Sequence, residues 1–295
     1  MENKPKICVI MSTYNGEKYI REQIDSILAQ KDVDLTLHIF DDISKDKTVE
    51  IAREYEEKNS NVKVHINERN KNFTYNFLDA LFSFKENEEF DYYAFSDQDD
   101  YWLDTKLISA IKKIEEKGKC TLYAANLKVV DQDLNYQGNN MMKLKFKNKH
   151  YDILCKNIVT GCTIVFDKEF KNLATKYYPE NIYLHDYWLA FIANYIIGAN
   201  FVYDTCPDHI LYRQHGNNLI GSGSAKLKKK EYHKTTGYLV KEFVRLYGEE
   251  IINEDKKIFA KLSNIEKFKN RFYLFFKIRS NLSLYLKAKL FLKKY

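Results

Sequence analysis

The chain has 295 residues, of which 45% are hydrophobic and 15% aromatic. A chain of this composition can bury a sizeable hydrophobic core. Only 10 Gly and 3 Pro are present, which argues against long linkers and low-complexity segments. We therefore expect one large globular domain or two smaller ones.

The net charge of +6 is unevenly distributed along the chain. Residues 256–295 contain twelve Lys or Arg and one acidic residue, a net charge of +11, so residues 1–255 carry −5. The basic residues of this tail alternate with aromatic and aliphatic ones, a pattern typical of an amphipathic helix. An anionic membrane surface is the partner we favour for it, packing against the rest of the chain is the alternative, and nucleic acid is not expected.

Two features predict the cellular compartment. The five cysteines show no metal-type spacing and most lie in apolar runs, which favours free thiols in a reducing compartment. The polar first residues lead directly into a strand, and the longest apolar stretch, 187–203, is short and contains Asn and Gly. We expect no signal peptide and no membrane span, hence a protein on the cytoplasmic side.

Short apolar runs alternate with helical patterns through the first half of the chain. The predicted strands there are 6–11, 35–40, 62–66 and 90–95, and the helical patterns are 19–28, 48–58, 76–85 and 103–117. This alternation predicts βαβ units, a parallel sheet and right-handed crossovers. Later strands are predicted at 121–130, 158–166 and 209–212, and later helices at 187–197, 232–247 and 254–292.

A cluster of carboxylates follows the fourth predicted strand, where Asp97, Asp99 and Asp100 lie within four residues. Carboxylates this close repel one another unless a cation lies among them, and Mg²⁺ or Mn²⁺ prefers such oxygen ligands. A solvated turn that caps the next helix is the alternative, since Asp is a good N-cap residue. Both interpretations stay open from the spacing alone.

Polar residues also follow the first two predicted strands, as Thr13 and Tyr14 and as Asp41 and Asp42. The carboxyl ends of parallel strands meet at one edge of a sheet, so these residues and the acidic turn are expected to line one nucleotide-binding crevice. The sequence contains no glycine-rich dinucleotide fingerprint and no phosphate-binding P-loop. A phosphate-bearing ligand would therefore be held through a metal ion.

Five motifs together resemble a known enzyme family. They are Ile10–Gly16, Phe40–Ser44, Ser96–Asp100, His185–Trp188 and Tyr212–Asn218. Their order and spacing are similar to those of the inverting GT-A glycosyltransferases of family 2, and within it to bacterial rhamnosyltransferase-like enzymes.

The resemblance extends over about residues 5–222 and implies a fold. Residues 1–222 would form a GT-A catalytic domain, a Rossmann-like α/β structure with a mixed, mainly parallel sheet flanked by helices. Residues 223–295 would form a helical, basic C-terminal extension.

The resemblance also assigns residues to the sugar-nucleotide donor. Ser12, Thr13, Tyr14 and Asp42 would surround the pyrimidine, with Tyr14 offering an aromatic face and Asp42 accepting the ring N3–H. Asp41 and Asp42 as turn residues that cap the next helix are the alternative.

A second group would bind the diphosphate. By the resemblance, Asp99 ligates Mg²⁺ or Mn²⁺, Asp97 lies near the ribose or the water shell of the ion, and His215 supplies a further metal ligand. Arg213 would pair with phosphate oxygens. The ion would neutralise charge on the departing diphosphate.

Asp186 carries over as the catalytic base that takes the proton of the acceptor hydroxyl, and an N-cap role is its alternative. His185 departs from the acid that the family commonly has at this position. It could orient Asp186, contact the acceptor or be structural.

The function expected from the resemblance is transfer of a sugar, L-rhamnose from dTDP-rhamnose, to a hydroxyl of a growing cell-surface polysaccharide on a lipid carrier. The enzyme would lie peripherally at the inner face of the plasma membrane, and a homo-oligomer is left open. One alternative is a UDP-hexose-dependent enzyme of the same fold. Another is a non-catalytic partner subunit that binds nucleotide sugar or membrane, for which His185 is the argument. A nucleotidyltransferase is disfavoured, because the loop after the first strand is neither glycine-rich nor basic.

Overall fold

The protein is represented by a computed structural model. It describes residues 4–84, 89–140, 149–155, 157–216, 218, 229–265, 267, 269–270 and 273–274. The chain divides into two compact units. The sheet unit comprises Met1–Met142, Val159–Lys176 and Asn200–Gly216, and the helical unit comprises Lys143–Ile158, Tyr177–Ala199 and Asn217–Tyr295. The domain boundary predicted at residue 222 stays a prediction.

The elements of the sheet unit alternate between strands and helices in its first half. They are β1 (Lys6–Thr13), α1 (Ile20–Leu28), β2 (Asp34–Asp41), α2 (Thr48–Lys58), β3 (Val62–Ile66), α3 (Asn72–Ser83), β4 (Tyr92–Ser96), β5 (Tyr101–Trp102), α4 (Lys106–Lys117), β6 (Thr121–Ala125), β7 (Lys128–Val130), β8 (Tyr136–Asn140), β9 (Val165–Asp167), α6 (Lys168–Ala174), β10 (Asn200–Asp204) and β11 (Ile210–Arg213). The helical unit contains α5 (Lys149–Cys155), α7 (His185–Tyr195), α8 (Lys229–Tyr247) and α9 (Asn253–Leu262).

The main sheet has the strand order β10-β6-β9-β4-β1-β2-β3. All its pairings are parallel except those of β9, which runs antiparallel to β4 and β6. The prediction of a mixed, mainly parallel sheet flanked by helices is therefore confirmed. Because Thr13 pairs with Asp41 and Met11 with Ser96, the ends of β1, β2 and β4 lie side by side.

Strand β1, which lies beside the middle strand β4, is buried on both of its faces. Residues Ile7–Met11 are completely buried, which is typical of a parallel strand with helices on either side. Helices α1 and α4 each contribute one apolar stripe to the same core, with Ile20, Ile24 and Ile27 from α1 and Leu107, Ile111 and Ile114 from α4.

The single strand predicted over 121–130 is wrong. The chain leaves the main sheet after Ala125, and β7 joins a second sheet with the order β5-β11-β7-β8. Asn126 lies at the break: its N–H still donates to the Asp204 carbonyl of β10 (2.8 Å), but its side-chain oxygen accepts from the Leu127 N–H (3.0 Å). A side chain that bonds its own backbone in this way competes with the strand ladder.

The strand predicted over 158–166 is also shorter than expected. Gly161–Thr163 form a 3-10 turn, and only Val165–Asp167 pair as a strand. Both the N–H (2.9 Å) and the hydroxyl (2.7 Å) of Thr163 donate to the Thr160 carbonyl, which closes the turn.

The helical unit is organised around α7, whose residues are buried on nearly every side. Its aromatic rings contact those of α8 and α9: Trp188 lies 5.8 Å from Phe243, and Tyr195 lies 4.8 Å from Phe259, between ring centroids. Among the residues that the structure describes, no helix is long and apolar enough to cross a membrane. Helix α9 ends at Leu262, whereas the sequence predicts a helix over 254–292, and most of the basic tail lies outside the described residues.

A polar contact fixes α5 to α9 inside this unit. His150 Nε2 lies 2.9 Å from both carboxylate oxygens of the buried Asp255, and the His150 carbonyl accepts from the Asn194 amide at 3.2 Å. The contact therefore links three helices.

Asp255→Asn is expected to lower the free energy of unfolding by about 1–3 kcal/mol, because it weakens a buried charge-assisted contact and leaves His150 poorly matched. Urea unfolding followed by far-ultraviolet circular dichroism measures the change. Glu254→Gln, in the same helical turn but exposed, is the control and should cost about 0.5 kcal/mol or less. Equal losses for the two variants would contradict the assigned role of the His150 contact.

Candidate active site

The structure brings Asp99 and His215 together at the end of β4. One carboxylate oxygen of Asp99 lies 2.9 Å from His215 Nε2, and the His215 ring lies 4.6 Å from the Tyr19 ring. The side chains of Asp99 and His215 are 15% and 12% exposed. Two ligands at right angles on an octahedral ion, with bonds of about 2.1 Å, are themselves about 3 Å apart. The two residues predicted as metal ligands therefore fit a shared divalent ion.

A second candidate group of metal ligands combines two residues of the acidic turn with Cys162 of the 3-10 turn Gly161–Thr163. One ligand atom from each of Asp97, Asp100 and Cys162 lies within 4.8 Å of the others. Burial, reinforced by the charges of Asp99 and Asp97, raises the pKa of the Asp100 carboxyl well above its ordinary value. Sequence reasoning missed Cys162, because a cysteine in an apolar run carries no sign of which carboxylates it meets.

Lys106 is a buried lysine beside this group. Its Nζ lies 3.5 Å from the centre of the Trp102 ring, and the side chain is 2% exposed. Burial lowers the pKa of Lys106 to about 7, against the opposing influence of Cys162 and Asp100. The sequence held a signal for this residue that we did not use: Lys106 has the helical spacing of the apolar Ala110 and Ile114.

Asp41 and Thr13 close the edge of the sheet where β1 and β2 end. The Thr13 hydroxyl donates to the Asp41 carboxylate (2.9 Å), which also accepts from the Ser44 N–H (2.8 Å). Asp41 is completely buried. These contacts match the interpretation of Asp41 as a turn residue.

Asp42 and Ser12 lie next to this turn, and Tyr14 lies beyond it. Asp42 Oδ1 accepts from the Asn67 amide (2.9 Å) and the Lys71 N–H (2.8 Å). Ser12 is held by Asn76, whose amide donates to its hydroxyl at 2.7 Å. The Tyr14 side chain is 46% exposed. The structure thus brings the four residues predicted to bind the sugar nucleotide to one edge of the sheet. They are Ser12, Thr13, Tyr14 and Asp42.

Arg213 is deeply buried, which the sequence did not predict. Its Nε donates to the Asp99 carbonyl at 2.9 Å, and its terminal nitrogens donate to the Gln132 carbonyl and the Glu22 carboxylate. The guanidinium also stacks over the Tyr19 ring, 4.6 Å from its centre. Arg213 therefore fixes the backbone of the acidic turn, and its pairing with phosphate stays a prediction.

Asp186 and His185 belong to the helical unit. Helix α7 begins at His185 and its N-cap residue is Leu184, so the alternative role of Asp186 as N-cap is wrong. Asp186 Oδ1 accepts from the Asn157 amide (3.0 Å) and the Tyr187 N–H (2.7 Å), which orients the carboxylate. Burial lowers the pKa of His185 to about 3, so its ring is neutral at neutral pH.

The sheet topology, the acidic turn and the contact between Asp99 and His215 define an α/β protein with a candidate metal site at the carboxyl ends of its strands. Residues 8–173 match the family model Glycosyl transferase family 2. The chain is 32% identical over 259 residues to the dTDP-rhamnosyl transferase RfbG of Shigella flexneri, covering 82% of this chain and 83% of that protein. The protein belongs to glycosyltransferase family 2.

Solved structures support the fold. TarS 1–349 of S. aureus, in complex with UDP-GlcNAc, matches with a TM-score of 0.64 and 20% identity, over 97% of this chain and 79% of that one. The mannosyltransferase PcManGT from Pyrobaculum calidifontis, in complex with GDP-Man and Mn²⁺, matches with a TM-score of 0.53 and 17% identity, over 98% and 79%. The predicted GT-A fold is confirmed.

The neutral His185 predicts a pH dependence. Its ordinary pKa of 6.5 is lowered to about 3 in the folded state, so the unfolded chain binds a proton that the folded chain excludes. The low pKa of His185 therefore lowers the free energy of unfolding as the pH falls below 6.5, by about 2 kcal/mol near pH 5. His185→Asn should lose less stability than the wild type between about pH 7.5 and 5, as measured by thermal unfolding.

The control for this prediction is Leu184→Ala, which truncates the neighbouring buried side chain and removes no titratable group. We expect it to lower the melting temperature at every pH while keeping the wild-type pH dependence. If His185→Asn also kept the wild-type pH dependence, the low pKa of His185 would be refuted.

Proposed function

We propose that this protein is an inverting, metal-dependent glycosyltransferase that transfers L-rhamnose from dTDP-rhamnose to a hydroxyl of a growing cell-surface polysaccharide on a lipid carrier. The observation that carries the proposal is the contact between Asp99 and His215 at the carboxyl edge of a GT-A sheet. The similarity to a dTDP-rhamnosyl transferase over 82% of the chain supports the choice of sugar.

Tyr14 and Asp42 would recognise the donor base. The exposed Tyr14 ring offers a face for the pyrimidine, and Asp42, fixed by Asn67 and Lys71, would accept the ring N3–H. Thymine and uracil both carry this N–H, so a UDP-hexose donor is the second candidate. UDP-GlcNAc bound to the structurally similar TarS favours that alternative.

Asp99 and His215 would hold Mg²⁺ or Mn²⁺, with the Asp99 carboxylate as the oxygen ligand that both ions prefer and His215 as an added nitrogen ligand. When bound, the ion neutralises negative charge on the departing diphosphate. Arg213 holds the Asp99 carbonyl, so the ligand turn is fixed before the donor arrives. Asp97 would face the ribose or the water shell of the ion.

Asp186 would act as the base. As the acceptor oxygen attacks the anomeric carbon from the face opposite the diphosphate, its proton passes to Asp186, the bond to the diphosphate oxygen breaks, and the anomeric configuration inverts. The bonds from Asn157 and the Tyr187 N–H orient the carboxylate. The neutral His185 adds no positive charge that would lower the basicity of Asp186.

The tail, with its net charge of +11, supports a peripheral position at the cytoplasmic face of the membrane, where a lipid-linked acceptor would be found. A non-catalytic partner subunit would bind the nucleotide sugar without transferring it. Measured turnover of the donor distinguishes such a subunit from the proposed enzyme.

Asp186→Asn should lower kcat for rhamnosyl transfer by about a thousandfold, because the amide cannot accept the proton of the attacking hydroxyl. The affinity for dTDP should stay within about twofold of the wild type, since the base does not contact the nucleotide. Product formation is measured by mass spectrometry and binding by calorimetry. Glu249→Gln, at an exposed acid of the helical unit, serves as the control, and near-normal turnover of Asp186→Asn would refute the base assignment.

Asp99→Ala should abolish the stabilisation that dTDP and Mn²⁺ together give the wild type, because the ion loses a charged ligand. A ligand present at about one hundred times its dissociation constant stabilises the folded state by about 2.7 kcal/mol, so the wild-type shift in melting temperature is readily measured. Asp104→Asn removes a charge just before α4, in a surface pair with Lys31, and should keep the shift. An undiminished, Mn²⁺-dependent shift in Asp99→Ala would contradict the metal assignment.

A further inference from the structure

Gln98, the central residue of the acidic turn, is bonded to both backbone groups of Tyr14. The Tyr14 N–H donates to Gln98 Oε1 at 2.8 Å, and Gln98 Nε2 donates to the Tyr14 carbonyl at 3.1 Å. Tyr14 lies in the loop between β1 and α1, and Gln98 lies between Asp97 and Asp99. The side-chain amide therefore pairs with the Tyr14 backbone as a neighbouring strand would, and so joins the two loops. We call these two hydrogen bonds the Gln98–Tyr14 bridge.

Gly16 provides the space for this bridge. A Cβ added at Gly16 would lie 2.3 Å from Gln98 Oε1 and 2.5 Å from its Cδ, far closer than van der Waals contact allows. Any side chain at this position would therefore displace the Gln98 amide. Glycine is therefore needed at position 16 because the Gln98 amide lies against its backbone.

The other side of the Tyr14 loop is held separately. The Asn15 N–H donates to the Ser44 hydroxyl (2.8 Å), and the Gly16 N–H donates to the Thr48 hydroxyl (2.7 Å). These bonds fix the loop to the segment after β2. Loss of the bridge would therefore leave the loop folded and attached there, but with Tyr14 no longer tied to the acidic turn.

We propose that Gln98 is a positioning residue that fixes Tyr14 relative to the acidic turn, and so sets the spacing between the nucleoside and the diphosphate of a pyrimidine nucleoside-diphosphate sugar. This inference rests on the proposed function of the same site. The Tyr14 ring is the exposed group that would face the base, and its backbone is held at both its N–H and its carbonyl. A ligand that contacts both Tyr14 and the acidic turn then binds to a surface whose two parts already have the required spacing.

The chemistry of the bridge requires an amide of this length. Glutamate has no N–H to donate to the Tyr14 carbonyl and would add a further negative charge between Asp97 and Asp99. Asparagine is one methylene shorter and cannot make both bonds from the same backbone position. The proposal therefore predicts that Gln98→Glu and Gln98→Asn both impair donor binding.

A double-mutant cycle between Gln98→Ala and Gly16→Ala tests the proposal. Calorimetric titration with dTDP in the presence of Mn²⁺ should show each single variant binding about tenfold more weakly, since either change removes the two bonds. The double variant should also be weaker by about tenfold and not a hundredfold, because the bridge can be lost only once. The KM for the donor should rise more than kcat falls.

Two measurements separate this role from a general loss of structure. Affinity for Mn²⁺ alone, measured by electron paramagnetic resonance, should stay within about twofold in all three variants, because the metal ligands are unchanged. Gly248→Ala is the matched glycine control, since its added Cβ would meet no atom closer than 3.8 Å. We expect it to bind dTDP as the wild type does.

Wild-type dTDP affinity in either single variant would overturn the proposal. Additive losses in the double variant would also overturn it, because they would mean that Gln98 contacts the nucleotide directly. If Gln98→Ala failed to fold, the same titration with Gln98→Glu would decide. A wild-type protein that binds neither dTDP nor UDP with Mn²⁺ would refute the proposed function itself, an outcome distinct from unchanged binding in the variants.

Discussion

The arrangement of this site depends on how three adjacent carboxylates are kept together at the end of β4. Like charges at such short range destabilise one another, and burial raises the cost. The sheet unit opposes this with two side chains from a distant part of the chain and one from the start of α4. His215 contacts the Asp99 carboxylate, the Arg213 guanidinium holds the Asp99 carbonyl, and the buried Lys106 lies beside the group. The remaining unfavourable charge is what a divalent cation would neutralise.

The parallel register connects this turn to the rest of the candidate site. Because Met11 pairs with Ser96 and Thr13 with Asp41, the loops after β1, β2 and β4 begin at one level of the sheet. The bridge between Gln98 and Tyr14 then joins the first and last of these loops through side-chain bonds. A ligand with an aromatic base at one end and a diphosphate at the other matches this layout, which is the chemistry of a sugar nucleotide.

Local sequence patterns were sufficient for the parallel sheet and for the acidic turn. Helix 48–58 was predicted with its observed bounds, because its apolar spacing and flanking polar residues are unambiguous. The contact between Asp99 and His215, 116 residues apart in the chain, was anticipated only through the family resemblance. The break at Asn126 was not predicted because mainly apolar residues continue beyond it, from Leu127 to Val130. The burial of Arg213 was not predictable because it depends on Glu22, a partner distant in sequence. No periodicity encodes such contacts.

The most direct test of this account is anomalous diffraction at the manganese absorption edge from crystals grown with Mn²⁺ and dTDP. The account predicts a peak roughly 2–2.3 Å from both an Asp99 oxygen and His215 Nε2, with the diphosphate on the ion and the thymine against Tyr14. A peak among Asp97, Asp100 and Cys162 instead, or dTDP bound with no manganese peak, would contradict it.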